Sequence, residues 1–132
     1  MKALLDTQVF LDLVSTKRAS PPADLAKHRD LCLSEISAAE IACLVRVGRI
    51  ELNMEPEEWF FLAVQRAGIE LLPVTARLFI RSALFEWENR DPADRLLLQL
   101  LMDDESGELT LFTRDRKILE FGKRKRLKVL EA

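Results

Sequence analysis

Histidine and cysteine are scarce in this chain of 132 residues, which contains one histidine, His28, and two cysteines, Cys32 and Cys43. The cysteines show no C-x-x-C spacing, so the usual donor set of a zinc site is missing. The sequence also offers no catalytic triad. We expect both thiols to be reduced and buried as packing residues, and His28 to lie in a solvated loop or at a helix end.

Glycine and proline are also infrequent, with four glycines and five prolines, and no segment is rich enough in them to form a linker between domains. Hydrophobic residues make up 48% and charged residues 32% of the chain, which is typical of a globular rather than a disordered protein. A chain of this length is long enough for one domain with a proper core and too short for two ordinary domains. We therefore expect a single domain over residues 1–132.

Long apolar runs are lacking as well. The longest apolar stretches, at residues 59–64 and 96–102, fall well short of the ~20 residues that span a bilayer. The first residues, with one lysine and an aspartate at position 6, do not resemble a signal peptide. We expect a soluble, cytoplasmic protein that does not associate with a membrane.

Short apolar runs alternate with longer segments of helical pattern. The runs predicted as strands are KALLD, LCLSE, IELLPV, LTLFT and LKVL. The predicted helices are 7–14, 38–47, 56–67, 75–87, 92–104 and 116–121, three of which end at Gly48, Gly68 and Gly122. Because the strands are almost continuously hydrophobic, we expect them to be parallel and buried on both faces. The alternation predicts an α/β protein, a three-layer α/β/α sandwich with a central parallel β-sheet.

Four acidic residues fall where such a sheet would bring them together. Asp6 closes the first predicted strand, and Glu40 lies shortly after the second. Asp94 is the third residue of the helix that starts at Pro92, and Asp115 follows the LTLFT strand by two residues. Ligands of open α/β sheets bind outside the carboxyl ends of the strands. We therefore expect the four carboxylates to gather at one edge of the sheet.

Helix capping is the alternative explanation for these acids. Ser37-x-x-Glu40 is a capping-box pattern, and Asp91 and Asp115 each precede a predicted helix as an N-cap would. Asp6 has no obvious cap role because it completes a strand. Four neighbouring carboxylates would also repel one another by roughly 1 kcal/mol for each close pair in water, and by more in a cleft. Their grouping therefore indicates a bound positive charge.

The donor set defines the kind of cation. Carboxylate oxygens without cysteine or histidine select a hard divalent ion, Mg²⁺ or Mn²⁺, which keeps several waters and also binds substrate phosphate. Such an ion lowers the pKa of a bound water and neutralises charge on a scissile phosphate. The pattern thus predicts phosphodiester hydrolysis, with one or two metal ions.

Four stretches carry a resemblance to a known family: LLDTQVFLDL, ISAAEIACLVRVGRIEL, RDPADRLLLQLL and LTLFTRDRKILEFG. Together they resemble the PIN-domain nucleases and, within them, the ribonuclease toxins of VapBC toxin-antitoxin pairs. The likeness spans almost the whole chain, and DPADRLL followed by a strand ending in T-x-D is its most specific part. It implies a metal-dependent endoribonuclease that hydrolyses RNA and pairs with a small antitoxin protein.

The resemblance also implies roles for individual residues. Asp6, Glu40, Asp94 and Asp115 match the family's metal-binding and catalytic quartet. Thr113 matches the threonine or serine that often lies beside the last acid. We therefore expect the quartet to hold Mg²⁺ or Mn²⁺ and Thr113 to help to position the substrate.

Two positions depart from the family pattern, since close relatives usually carry histidine where this chain has Gln8 and Asn89. Neither belongs to the acidic quartet, so the departures concern subfamily and substrate rather than catalysis. The alternatives within the family are a catalytically silent PIN-like binding module and a housekeeping PIN nuclease of RNA processing. A receiver domain would need an aspartate after the third strand, where residues 73–75 read PVT, and a D-x-D phosphatase would need an acid at position 8.

The charge distribution is a partial test of an RNA substrate. The net charge of −2 and the pI of about 5.5 differ from the usual basic nucleic-acid-binding protein. Without the four metal-facing acids, the formal charge of the rest of the chain is +2. Arg114, beside the last acid, is a candidate for positioning the substrate. The run KRKR at 123–126 either contacts phosphate or forms a solvated turn.

The third and fourth predicted helices carry more apolar surface than one core face needs. The apolar residues at 59–64 cover most of the circumference of one helix, and the next helix adds Phe79, Phe85 and Trp87. Such an excess predicts contact with a partner. We expect a homodimer that also binds an antitoxin.

Overall fold

The structure is a computed structural model, and it describes residues 1–15 and 30–132. The strands within these residues are β1 (Lys2–Leu5), β2 (Asp30–Ser34), β3 (Ile69–Leu72), β4 (Leu109–Thr113) and β5 (Val129–Glu131). The helices are α1 (Thr7–Val14), α2 (Ile36–Arg46), α3 (Pro56–Arg66), α4 (Ala76–Leu84), α5 (Pro92–Asp103) and α6 (Arg116–Lys125). None of these helices has both the length and the apolar character required to cross a membrane.

The strands form one sheet in the order β3-β2-β1-β4-β5, and every neighbouring pair is parallel. Leu4 of the central strand β1 pairs with Cys32 of β2 and with Leu111 of β4. All three side chains are fully buried. The prediction of a parallel sheet, made from its continuously apolar strands, is confirmed.

Helices cover both faces of the sheet and enclose two apolar cores. Leu5 and Phe112 belong to the core that includes residues of α1, α2 and α3. Leu4 and Leu111, which precede them along the two strands, belong to the core formed with α5 and α6. Successive strand residues point to opposite faces, so the arrangement is the predicted three-layer α/β/α sandwich.

Two predicted helix ends differ from the structure by three or more residues. The fourth predicted helix was expected to reach residue 87, but α4 ends at Leu84 and the following residue has an extended backbone. The sixth was expected to stop at Gly122, but α6 continues to Lys125 and ends at Arg126, whose φ is 55°. A Cβ at Gly122 would lie 2.5 Å from Val129 Cγ2. This glycine therefore permits close packing of α6 on β5 rather than ending the helix.

The two cysteines have different environments. Cys32 is buried in β2, as predicted, whereas Cys43 is exposed, so the prediction of a second buried thiol is wrong. The reason is that α2 buries only Ser37 and Ile41, and position 43 lies outside that narrow buried stripe. The predicted loop position of His28 falls outside the described residues.

The helices α3 and α4 leave large apolar side chains in contact with solvent. Phe61 of α3 is 58% exposed, and Phe79, Ile80 and Leu84 of α4 are 46%, 61% and 75% exposed. The other aromatic members of this excess are less exposed: Phe60 is buried, at 5% exposure, and Trp59, Phe85 and Trp87 are half-buried. The apolar surface is therefore concentrated on α4, with a smaller part on α3.

Candidate active site

The four predicted acids line one cleft of about 700 Å³ at the carboxyl edge of the sheet. Asp6 follows β1, Glu40 lies on α2, Asp94 lies in the first turn of α5, and Asp115 precedes α6. Asp91 lines the same cleft, so five carboxylates share it. The predicted gathering of the acids at this edge is present in the structure.

Asp6 combines two structural contacts. Its Oδ1 accepts a hydrogen bond from the backbone N–H of Thr7 at 2.7 Å, which makes it the N-cap of α1. Its Oδ2 accepts a bond of 2.6 Å from the Thr113 hydroxyl. The expectation that Asp6 caps no helix is therefore wrong, because α1 starts at the very next residue and needs a partner for its free N–H groups.

Glu40 is held by a threonine that the sequence patterns did not single out. The Thr7 hydroxyl donates to Glu40 Oε1 at 2.5 Å and lies 2.8 Å from the Ser37 hydroxyl. The capping-box alternative fails here, since the N-cap of α2 is Glu35, which makes no side-chain cap bond. Glu40 is consequently free of a cap role and faces the cleft. The sequence signal that could have identified Thr7 is its position directly after a strand-end acid, but Glu40, its hydrogen-bond partner, lies 33 residues further along the chain.

Asp91 and Asp94 divide two tasks at the start of α5. Asp91 Oδ1 accepts bonds from the N–H groups of Ala93 and Asp94 at 2.9 and 3.1 Å, as an N-cap does. Asp94 Oδ2 accepts a bond of 3.0 Å from the Asn89 amide. The prediction that Asp91 caps this helix is confirmed, and Asp94 remains directed at the cleft that it lines.

Asp115 and Thr113 connect the end of β4 to the first acid. Asp115 Oδ1 caps α6 through the N–H groups of Lys117 and Ile118. The Thr113 hydroxyl accepts from the Asp115 N–H at 3.0 Å while it donates to Asp6. Thr113, which is fully buried, therefore links the backbone of one acid to the carboxylate of another.

The basic residues are placed differently from one another. Arg114 is ion-paired with Asp12, and its guanidinium also donates to the carbonyl of Gln8, a residue that lines the cleft. The run at 123–126 forms the last turn and C-cap of α6 rather than a turn before a strand. Arg49, which the sequence patterns did not single out, lines the cleft itself and is exposed. Its guanidinium makes no ion pair with any described residue.

Burial and mutual repulsion raise the proton affinity of the acids. Burial raises the pKa of Asp94 to about 7, and the nearby charge of Asp91 adds to the effect. The pKa values of Asp6 and Glu40 are also raised, chiefly by burial, although their hydroxyl partners Thr113 and Thr7 oppose the change. The cleft by itself thus resists carrying all of its negative charge, which a bound cation would relieve.

The donors fit a hard divalent cation in chemical type. Over residues 1–15 and 30–132, no three Asp, Glu, His or Cys side chains are grouped closely enough to form a finished metal site. Four carboxylate oxygens of the cleft acids nevertheless accept no hydrogen bond from the described residues: Glu40 Oε2, Asp91 Oδ2, Asp94 Oδ1 and Asp115 Oδ2. Free carboxylate oxygens with no histidine among them are ligands suited to Mg²⁺ or Mn²⁺.

Comparison with known proteins places the chain in a family. A family model described as the PIN domain matches residues 3–124. The chain belongs to the PIN domain family. PIN domains are generally nucleases and typically use divalent metal ions.

A solved structure shares this fold. The crystal structure of VapBC2 from Rickettsia felis bound to a DNA fragment from their promoter includes a chain that matches with a TM-score of 0.60. The match has 16% sequence identity and covers 99% of this chain and 98% of the other. The search of curated proteins found no match. The resemblance to PIN domains inferred from the four acidic stretches is thereby confirmed.

Proposed function

We propose that this PIN domain is a metal-dependent endoribonuclease and that Asp6, Glu40, Asp94 and Asp115 hold Mg²⁺ or Mn²⁺. The observation that carries the proposal is the convergence of these acids on one cleft, with the pKa values of three of them raised. When bound, the ion would activate a water and neutralise charge on the scissile phosphate.

The residues around the acids have distinct supporting parts. Thr7 and Thr113 orient the carboxylates of Glu40 and Asp6 through bonds of 2.5 and 2.6 Å. Arg49 is a cation on the wall of an acidic cleft, so it can bind a phosphate of the RNA backbone. Arg114, fixed beside Gln8, can contact a second phosphate at the rim. The substrate would thus be held by cations while the carboxylates hold the metal.

We also propose that the enzyme is the toxin of a toxin-antitoxin pair. The support is the match of almost the full chain length to a VapBC2 structure and the apolar side chains that α4 exposes. A small antitoxin protein with an amphipathic segment would cover such a surface. A homodimer would bury another part of the same exposed apolar surface.

A catalytically silent binding module is the second candidate, because Asp6, Asp91 and Asp115 all cap helices. Metal binding separates the two candidates. An acid that only caps a helix can be replaced by asparagine, another good N-cap, without consequence for any ligand. A metal ligand cannot, since asparagine removes the negative charge.

The test is cleavage of a mixed RNA pool by the purified full chain with Mg²⁺, Mn²⁺ or a chelator. We expect cleavage only with metal, and its loss in Asp6→Asn and Asp94→Asn. Asp103→Asn is the matched control, since it removes an acid from the other end of α5, where the carboxylate pairs with Arg81. Cleavage in chelator, or equal cleavage by Asp6→Asn and the control, would refute the mechanism. Absence of any metal-induced rise in melting temperature would favour the silent module.

A further inference from the structure

A buried arginine fixes the segment that joins α4 to α5. Arg95, on α5, is 8% exposed. Its Nε donates to the carbonyl of Ser82 at 2.7 Å, and its Nη1 donates to the carbonyls of Trp87 and Asn89 at 2.9 and 2.7 Å. Its Nη2 donates to the carbonyl of Phe85. One side chain thus satisfies four backbone acceptors between the end of α4 and the start of α5.

This arrangement differs from an ordinary buried ion pair. No carboxylate of the described residues forms a salt bridge with Arg95, and its charge is instead stabilised by carbonyl dipoles and by the ring of Phe85, 4.2 Å from Cζ. Two of the carbonyls belong to Ser82, in the last turn of α4, and to its C-cap Phe85, where a cation is favourable. Only the planar guanidinium has enough fixed donors to reach all four acceptors.

The segment that Arg95 holds carries Asn89, whose side chain contacts Asp94 of the acidic cleft. Asn89 Oδ1 accepts from the backbone N–H of Asp91 at 3.0 Å, and Asn89 Nδ2 donates to Asp94 Oδ2 at 3.0 Å. An amide supplies the required acceptor and donor together. Asn89 therefore connects the N-cap of α5 to the carboxylate of Asp94, while its own carbonyl is held by Arg95.

We propose that Asn89 and Arg95 are positioning residues for Asp94. Arg95 fixes the backbone at Asn89, and Asn89 holds Oδ2 of Asp94, so that Oδ1 stays available to a metal ion. The proposal rests on the proposed role of Asp94 as a ligand. Groups that orient a metal ligand usually contribute about 10-fold to 100-fold to metal affinity or activity, so their removal has a measurable effect on binding alone.

The experiment is a titration of the full chain with Mn²⁺, followed by electron paramagnetic resonance, beside urea unfolding of each variant. We expect Asn89→Ala to weaken Mn²⁺ binding about 10-fold or more. Glu88→Ala is the matched control, because Glu88 is the exposed preceding residue and makes no side-chain hydrogen bond with the described residues. It should bind Mn²⁺ like the wild type.

Arg95→Lys keeps the charge but lacks the donors to hold four carbonyls, and it should weaken Mn²⁺ binding by a similar factor. If Arg95 acts through Asn89, the double variant should bind Mn²⁺ no more weakly than Asn89→Ala alone. If the role of Arg95 is purely structural, Arg95→Lys should lower the free energy of unfolding and leave the Mn²⁺ affinity of the folded protein unchanged. If Arg95→Lys does not fold, Asn89→Ala and Glu88→Ala still decide the role of Asn89.

Failure of this inference can be told from failure of the proposed function. One outcome would overturn the positioning roles alone: Asp94→Asn weakens Mn²⁺ binding, but Asn89→Ala and Glu88→Ala bind Mn²⁺ with the same affinity. Mn²⁺ binding that Asp94→Asn does not change, or no binding by the wild type, would overturn both.

Discussion

Replacement of Asp94 by asparagine should change how stability depends on pH in the metal-free protein. The folded chain raises the pKa of Asp94 from 3.8 to about 7, mainly by burial. A raised folded pKa means that protonated Asp94 favours the folded state at low pH, and that this contribution is lost as pH rises through about 7. Asparagine is uncharged at every pH, so the variant does not lose this stability as the pH rises.

The size of the effect follows from the two pKa values. A difference of about 3 corresponds to ~4 kcal/mol at ~1.4 kcal/mol per pKa unit. Because Asp94 is only half-buried, solvent screening should reduce this to about 1–2 kcal/mol. Roughly half of it accrues between pH 5 and 7.

The assay is urea unfolding in chelator at pH 5, 6, 7 and 8. Relative to the wild type, the stability of Asp94→Asn should rise by about 0.5–1 kcal/mol from pH 5 to pH 8. Asp103→Asn, which removes a carboxylate from the other end of α5, is the control for the loss of an acid from this helix. A difference for Asp94→Asn that is constant or falls with pH would refute the reasoning. Added Mn²⁺ at pH 8 should then stabilise the wild type more than the variant.

Three further results are expected. Replacement of the basic run at 123–126 by glutamine should weaken RNA binding equally for all sequences and reduce its salt dependence; unchanged salt dependence would show that the run does not contact phosphate. Gly122→Ala should lower the free energy of unfolding by about 1–3 kcal/mol through overlap with Val129, and Val129→Ala in the same chain should restore part of it. The chain should sediment as a dimer at micromolar concentration, and Ile80→Ser with Leu84→Ser on α4 should weaken dimer formation or antitoxin binding; a monomer that binds no antitoxin would contradict this.

Local patterns were sufficient for much of the fold. The apolar runs and the residues that bound them identified each strand, and the positions of Asp6 and Asp115 after strands placed those acids at one edge. Both are properties of neighbouring residues. The order of the strands could not be predicted in this way, because pairing of β1 with both β2 and β4 depends on contacts between distant segments.

The supporting contacts of the site were beyond the reach of such patterns. Thr7 meets Glu40 only because α1 and α2 pack together, and nothing in the sequence near Thr7 specifies that partner. In the sequence Arg95 looks like an ordinary charged residue on a helix. It is buried because backbone carbonyls from the preceding segment of the chain accept hydrogen bonds from its guanidinium. Gly122 looks like a helix end and instead serves the contact with β5.

The contrast between the two cysteines gives the protein a single natural attachment point. Cys32 is inaccessible and burial raises the pKa of its thiol to about 12, so it should not react with a maleimide under conditions in which the protein stays folded. Cys43 is exposed on the wall of the acidic cleft, on the same helix as Glu40. A spin label or fluorophore could therefore be placed beside the acids without mutation, where its signal would respond directly to an arriving ion or strand.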